Sequence, residues 1–235
     1  MGQKLEILAI GAHPDDVEIG CGGTLVKHAE LGYKTGIIDL SRGELGTRGS
    51  VEERNSEAEK GRKILKASVR ENMNFRDGFF INDEKHQLAL VEKIRKYKPE
   101  VVLCNAPDDR HPDHGRAASL VKDAVFLSGL RKIGEAEDAW RPRAVYHYIQ
   151  AKYISPDIIV DISEHFDIKM EAIMAFKSQF YNKNSKEPQT YISDKSFTEM
   201  IKGRAVEFGK ILGIKYGEGF VANRYIGTED LLQIL

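Results

Sequence analysis

The fold of this chain is indicated first by Leu5–Ile10, a run that reads LEILAI and ends at Gly11. Apolar residues stand at both odd and even positions of this run, which is typical of a strand buried on both faces. Such strands lie in parallel sheets that are covered by helices on both sides. The next residues, 12–16, read AHPDD and place polar side chains directly after this strand.

Strand and helix patterns alternate along most of the chain, as they do in α/β proteins. Strands are predicted over Leu5–Ile10, Lys34–Leu40, Val69–Phe75, Val101–Asn105, Ala144–Ile149 and Ile158–Ile162. Helices are predicted over Thr24–Leu31, Glu52–Leu65, Leu88–Tyr97, Ala117–Leu127, Ile168–Phe180 and Glu199–Leu212, with a polar stretch at 182–196. No repeat or linker interrupts this pattern, so residues 1–235 are predicted to form one domain around a mainly parallel sheet.

The composition restricts the class of protein. The 35 Lys and Arg residues nearly balance 36 Asp and Glu residues, and a net charge of −1 argues against nucleic acid binding through an overall positive field. The apolar runs are far shorter than the ~20 residues that span a bilayer. The N-terminal segment has no apolar signal-peptide core, and two cysteines, Cys21 and Cys104, cannot build a disulfide framework. We therefore expect a cytoplasmic protein that binds neither membranes nor nucleic acid.

Two loops rich in histidine and aspartate follow predicted buried strands. The first is residues 12–16, after Leu5–Ile10, and the second is residues 110–114, which read RHPDH after Val101–Asn105. In open parallel sheets, ligands bind beyond the carboxyl ends of the strands, where the strand order reverses. We expect the two loops to converge on one crevice at that place.

The side chains of these loops are suited to metal chemistry. Two imidazoles and one carboxylate form a common ligand set for catalytic zinc, and Mn²⁺, Fe²⁺ or Co²⁺ accept similar ligands. A surplus carboxylate can take a proton from water, and a surplus histidine can protonate a leaving group or stabilise an oxyanion. Spacing alone does not assign these roles. It also leaves open a two-metal phosphoesterase and a metal-independent module that binds a sugar or a nucleotide.

Seven short motifs lie along the chain in a fixed order. They are AHPDDVE at 12–18, GCGGT at 20–24, SRGELGTRG at 41–49, Arg54 with EA at 57–58, DRHPDH at 109–114, KSQF at 177–180 and YGEGF at 216–220. In content and order they resemble the PIG-L/LmbE-like family of zinc-dependent N-deacetylases. The resemblance implies a Rossmann-like three-layer sandwich with a metal site at the C-terminal ends of the strands.

The resemblance also assigns the metal site residue by residue. His13, Asp16 and His114 match the ligands of one Zn²⁺ per chain. Asp15 matches the general base that takes a proton from the activated water. The expected enzyme is therefore a hydrolase that removes an acetyl group from an amide.

Four more residues match the surroundings of these ligands. His111 matches the histidine that assists the tetrahedral intermediate, and Asp113 is placed to orient or charge it. Arg54 and Arg110 match arginines of the substrate pocket. A guanidinium group there suits a substrate carboxylate such as that of malate.

Within the family, the chain most resembles the enzymes of bacillithiol biosynthesis that deacetylate N-acetylglucosaminyl malate. This branch implies a small N-acetylated amino-sugar substrate and a homo-oligomer, commonly a hexamer. N-acetylglucosamine or a chitin oligosaccharide also fits a pocket of this type. The exact substrate within this class therefore stays open at the level of the sequence.

Overall fold

The computed structural model describes residues 4–133, 138–230 and 232. Its strands are β1 (Ile7–Gly11), β2 (Thr35–Ser41), β3 (Val69–Phe75), β4 (Val101–Asn105), β5 (Ala144–Tyr148), β6 (Ile158–Asp161) and β7 (Gly217–Ala222). Its helices are α1 (Asp16–Glu30), α2 (Val51–Ile64), α3 (Glu84–Tyr97), α4 (Pro112–Ser128), α5 (Phe166–Met174) and α6 (Lys195–Leu212). The six predicted strands are confirmed, with ends that differ by at most two residues. Among the described helices, none is both long and apolar enough to cross a membrane.

The strands form one sheet in the order β3-β2-β1-β4-β5-β7-β6. Strands β1 to β5 are parallel, whereas β7 pairs antiparallel with both β5 and β6. The predicted α/β architecture is thereby confirmed. The chain places β2 on one side of β1 and β4 on the other, so the strand order reverses between β1 and β4 and leaves a crevice at their carboxyl ends.

The two faces of β1 enter separate hydrophobic cores. Leu8 and Ile10 belong to the core that contains residues of α3 and α4. Ile7 and Ala9 face the opposite core, which contains residues of α1 and α5. Each fully buried Leu or Ile stabilises the fold by about 1.5–3 kcal/mol relative to an exposed side chain. The continuous apolar run therefore holds the sheet between two helical layers.

Helix α1 begins at Asp16, eight residues before the predicted start at Thr24. The prediction was wrong because glycines at 20, 22 and 23 weaken the helical pattern. The helix is kinked at Cys21, whose φ and ψ of −145° and 19° are not helical. A Cβ atom on Gly20 would lie 2.1 Å from a ring carbon of Tyr148, so glycine lets the helix approach β5 closely.

A buried ion pair joins the two halves of α1 at this kink. Lys169 Nζ donates to the Ile19 carbonyl at 2.7 Å and lies 2.5 Å from Glu218 Oε1. The two oxygens of Glu218 accept the N–H groups of Gly23 and Thr24 at 3.0 and 2.7 Å. A cation thus meets the carboxyl end of the first half, and an anion meets the amino end of the second half, as the helix dipole favours.

Near the end of the chain the structure differs from the prediction at three elements. Helix α5 ends at Met174 rather than at Phe180, because the chain turns at 175–180 and buries Phe176 and Phe180 in a separate hydrophobic cluster. Strand β7 was not predicted, since Gly217 and Gly219 weaken its strand pattern. Helix α6 begins at Lys195, where the Asp194 side chain accepts the Ser196 N–H, so it includes the end of the polar stretch 182–196.

Candidate metal centre

The two histidine-rich loops meet at the crevice between β1 and β4, as expected. His13 follows β1, and Asp16 is the first residue of α1. His114 lies in the first turn of α4, the helix that follows β4. All three residues are more than nine-tenths buried.

The Asp16 carboxylate lies close to a ring nitrogen of both His13 and His114. Asp16 Oδ1 lies 3.1 Å from His114 Nε2, and Asp16 Oδ2 lies 3.5 Å from His13 Nδ1. Ligands bound at about 2.0–2.2 Å to a tetrahedral ion are separated by roughly 3.3–3.6 Å. The two measured separations, 3.1 and 3.5 Å, lie close to this spacing.

In both His13 and His114, the ring nitrogen that does not face Asp16 lies beside a carboxylate. Asp109 Oδ2 lies 2.7 Å from His114 Nδ1. Asp77 Oδ1 and Asp113 Oδ2 lie 3.0 and 3.3 Å from His13 Nε2. Such partners orient metal-binding imidazoles and raise their basicity. They leave His13 Nδ1 and His114 Nε2 directed at Asp16.

The same carboxylates make the centre attractive to cations. Burial alone would lower the pKa of His114, but Asp16 and Asp109 raise it to about 9. Burial opposes the charged form of His13 as well, yet hydrogen bonds with Asp113, Asp16 and Asp77 raise its pKa well above the usual value. The field that favours a proton at these rings also favours a metal cation.

Two amides clamp the Asp16 carboxylate. Asn105 Nδ2 donates to Asp16 Oδ2 at 3.1 Å, and Gln150 Nε2 donates to Asp16 Oδ1 at 2.9 Å. Burial would raise the pKa of Asp16, but His114 and His13 lower it well below the usual value. Sequence reasoning missed both amides and Asp77. The only signal for Asn105 was its position at the end of a buried strand.

Asp15 lies beside the ligands in an unusual backbone conformation. Its φ of 116° is positive, a region that residues other than glycine seldom occupy. Burial raises the pKa of its carboxyl to about 7, although the neighbouring Arg54 opposes this shift. Arg54 Nη2 lies 3.1 Å from Asp15 Oδ2. The predicted general base is thus a buried carboxylate of raised basicity.

His111 packs directly against the two histidines of the ligand set. Its ring lies edge-on to His13 at 4.6 Å and is stacked with His114 at 5.3 Å between centroids. Burial and the positive charge of both neighbours lower its pKa. Nitrogens of these three rings come within 4.8 Å of one another.

Asp113 contacts both His111, as predicted, and His13. Its carboxylate accepts the Gly78 N–H at 2.8 Å, pairs with Arg116 at 2.5 Å and faces His13. Its backbone N–H donates to His111 Nδ1 at 3.3 Å, and the charge of its carboxylate opposes the lowering of the His111 pKa. The carboxylate therefore orients His13, and the backbone of Asp113 orients His111.

A cavity of about 430 Å³ opens above these residues. Its wall includes both predicted arginines, Arg54 and Arg110, together with Gln179 and Tyr191. The Arg110 guanidinium lies over the Tyr191 ring at 4.2 Å from the centroid. Arg54 is buried and turned toward Asp15, whereas Arg110 is exposed at the cavity. The polar stretch 182–196 thus contributes to the wall of the cavity.

A comparison with known protein families identifies the family of this chain. A family model described as PIG-L: GlcNAc-PI de-N-acetylase matches residues 8–125, which include both histidine-rich loops. The chain belongs to the PIG-L family. This confirms the family predicted from the motifs.

Relatives of this PIG-L protein match most of its length. The diacetylchitobiose deacetylase of Thermococcus kodakarensis is 29% identical over 229 residues, covering 91% of this chain and 81% of that protein. The uncharacterized deacetylase YaiS of Escherichia coli is 41% identical over 181 residues, covering 73% and 90%. The solved structure of the conserved protein TT1542 from Thermus thermophilus has a TM-score of 0.87 and 34% identity, covering 95% and 97%.

A further PIG-L relative bears on the malate branch. The probable N-acetyl-alpha-D-glucosaminyl L-malate deacetylase 2 of Bacillus anthracis is 24% identical over 196 residues, covering 78% of this chain and 85% of that protein. Relatives named for several different substrates thus match the chain. Membership of the family does not by itself select one of them.

Proposed function

We propose that this chain is a metal-dependent N-deacetylase of a small N-acetylglucosamine derivative. The proposal is carried by the placement of His13 and His114 within 3.5 Å of the Asp16 carboxylate, with the buried carboxylate of Asp15 beside them. Membership of a de-N-acetylase family and the printed activity of the Thermococcus relative support the same reaction.

The residues of the chain provide the proton transfers of this reaction. When bound, a divalent ion such as Zn²⁺ supplies a Lewis acid and makes water easier to deprotonate. The Asp15 carboxylate accepts the proton of the attacking water, and its raised pKa makes it a stronger base than an exposed aspartate. The same carboxyl group can return this proton to the departing amine.

His111 is placed to stabilise the carbonyl oxygen of the acetyl group, which becomes negative when water attacks. Its Nδ1 accepts the Asp113 N–H, so a neutral ring carries its proton on Nε2. A hydrogen bond from this Nε2–H to the developing oxyanion favours the transition state over the bound amide. Removing one such donor typically reduces the rate by about 10²–10³.

The malate glycoside of N-acetylglucosamine is our specific proposal for the substrate. Arg110 supports it, because an exposed guanidinium at the cavity wall suits a carboxylate. Diacetylchitobiose is the second candidate, which the name of the Thermococcus relative favours. It has no carboxylate for Arg110 to bind.

The test is amine release from three substrates measured side by side with metal content. N-acetylglucosaminyl malate, N,N'-diacetylchitobiose and N-acetylglucosamine are each incubated with protein of known zinc stoichiometry. We expect one metal per chain and the highest kcat/KM on the malate glycoside, with Arg110→Met losing this preference. Preference for diacetylchitobiose would overturn the malate assignment. Absence of amine release from all three by metal-loaded protein would overturn the deacetylase proposal.

Three further predictions belong to the same proposal, the ion and the assembly from the family resemblance and the location from the composition. Zn²⁺ is the proposed native ion, a homohexamer is the proposed assembly, and the cytoplasm is the proposed location. Metal analysis of protein purified without added metal and light scattering of the same sample test the first two. Fractionation of the source cells tests the third.

A further inference from the structure

Arg54 makes all of its observed hydrogen bonds to the backbone and side chain around Asp15 and to the glycine-rich segment. From α2, its Nη2 donates to the Pro14 carbonyl at 2.8 Å and to Asp15 Oδ2 at 3.1 Å. Its Nη1 donates to the Gly43 carbonyl at 3.3 Å. Only 5% of the residue is exposed. The guanidinium thus faces the loop that carries the proposed general base.

Asp15, which Arg54 contacts, has a strained backbone. The φ of 116° lies in a region that L-residues avoid, and surrounding contacts are needed to keep it populated. Arg54 binds the carbonyl of the residue before Asp15 and the carboxylate of Asp15 itself. Through one nitrogen it therefore holds both the peptide and the side chain of the base in place.

The glycine-rich segment makes room for this guanidinium. A Cβ atom on Gly43, whose φ is +65°, would lie 2.0 Å from Arg54 Nη1. One on Gly46 would lie 3.3 Å from the same nitrogen. The two glycines form a cradle for Arg54, which gives a physical reason for part of the motif at 41–49.

We propose that Arg54, seated in the cradle of Gly43 and Gly46, positions the Asp15 carboxylate for proton transfer and does not bind a substrate carboxylate. The proposal rests on the proposed function, because it assigns Asp15 the role of base. Arg54 is a positioning residue in this scheme, and Arg110 is the arginine that meets the substrate.

A graded series of variants in the metal-loaded enzyme tests this role. Arg54→Lys keeps the charge but loses the fork that reaches Gly43 through one nitrogen and both Pro14 and Asp15 through the other. Gly43→Ala displaces the guanidinium without altering it. We expect both to lower kcat at least tenfold while KM and metal content change less than twofold. Gly46→Ala should lower kcat less, because its clash is milder, and it keeps the test available if the other variants do not fold.

Gly203→Ala is the matched control, because a Cβ atom there would contact nothing within 4 Å. We expect its kcat and KM to equal those of the wild type. An increase of KM at constant kcat in Arg54→Lys would show substrate binding and overturn the proposal. So would wild-type kcat in both Gly43→Ala and Gly46→Ala.

Asp15→Asn separates this proposal from the proposed function. If Asp15→Asn is inactive while the Arg54 and Gly43 variants keep their kcat, the positioning role alone is wrong. If Asp15→Asn retains full activity, the assignment of the base is wrong as well, and the positioning role falls with it.

Discussion

The carboxyl group of Asp15 is under two opposing influences. Burial favours its neutral form, and the Arg54 guanidinium at 3.1 Å favours its charged form. Burial has the larger effect, and the resulting pKa of about 7 makes the group both an acceptor and a donor of protons near neutral pH. A carboxylate with these properties next to a metal site has the chemistry that amide hydrolysis requires.

Replacing Asp15 with asparagine tests this chemistry. The amide has nearly the same shape but accepts no proton, so we expect kcat to fall by about 10²–10⁴. Metal content should stay at the wild-type level, because His13, Asp16 and His114 are unchanged. Amine release and metal analysis on one sample measure both quantities, with the exposed Asp108→Asn as a control of unchanged activity. Loss of metal in Asp15→Asn would instead identify Asp15 as a ligand.

The residues of the candidate metal centre were not equally predictable from the sequence. His13, Asp16 and His114 stand out because they follow buried strands in unusually polar loops. Asp77, Asn105 and Gln150 come from three separate segments that only the sheet brings together. A lone aspartate or amide in a sequence has no distinguishing neighbour, so these partners could not be predicted.

At the scale of elements, the kink of α1 depends on charges contributed by α5 and β7. Lys169 and Glu218 are each at least 96% buried, and each also binds backbone groups left unpaired at the kink. Removing one partner of a buried pair leaves an uncompensated charge, which destabilises proteins by about 3–5 kcal/mol. The helix therefore depends on residues far away in sequence.

Lys169→Met should lower the free energy of unfolding by about 3–5 kcal/mol. Glu218 is left buried without its cation, and the Ile19 carbonyl loses its donor. Urea denaturation measures this loss, and Lys66→Met, which removes an exposed ion pair with Glu30, is the control with little change. The double variant with Glu218→Gln should lose less than the sum of the two single losses. Additive losses would show that the two side chains act independently.

Strand β3 is linked to α3 by Glu71. Its carboxylate contacts Lys93, Lys96 and the Tyr97 hydroxyl. Burial would raise the pKa of Glu71, but these partners lower it to about 2. A carboxyl whose pKa falls on folding stabilises the protein above its unfolded pKa of 4.5, and the contribution is lost as the pH falls toward 2.

Glu71→Gln should therefore be less stable than the wild type at pH 7. The difference should shrink as the pH falls from 4.5 toward 2, because the wild-type carboxylate becomes protonated over that interval. Thermal unfolding of both proteins across this range measures the difference. A gap that stays constant down to pH 2 would show that Glu71 acts through packing and not through its charge.

The elements were predictable where apolar periodicity was strong. Strands β1 and β4 could be predicted because continuous apolar runs end at polar loops. The start of α1 and the strand β7 could not, because glycines conceal their patterns. Those glycines are required by close contacts: a Cβ atom on Gly219 would lie 2.6 Å from a ring carbon of Phe208.

At the scale of the molecule, the metal centre joins the ends of several strands. His13 follows β1, His114 follows β4, and Asp77, which holds His13, follows β3. An ion bound by these residues would tie together segments that are distant in sequence. An ion that binds the folded state but not the unfolded state stabilises the fold. This stabilisation grows with the logarithm of the ratio of free ion concentration to Kd.

Removal of the metal should lower the melting temperature. At a free metal concentration 100 times the Kd, the expected stabilisation is about 2.7 kcal/mol. Differential scanning calorimetry with and without a chelator measures it. In His114→Ala the difference should be much smaller, since one ligand is missing. Equal melting temperatures in the wild type with and without metal would contradict a site formed only in the folded state.

The contact between Thr24 and Glu218 can form only late in synthesis of the chain. The two residues are 194 positions apart. At 5–20 residues per second, a ribosome adds Glu218 roughly 10–40 s after Thr24. During that interval the second half of α1 lacks the carboxylate that accepts its first N–H groups, and β7 is not yet available to the sheet. A nascent chain in this state exposes the edge of β5 that β7 later covers.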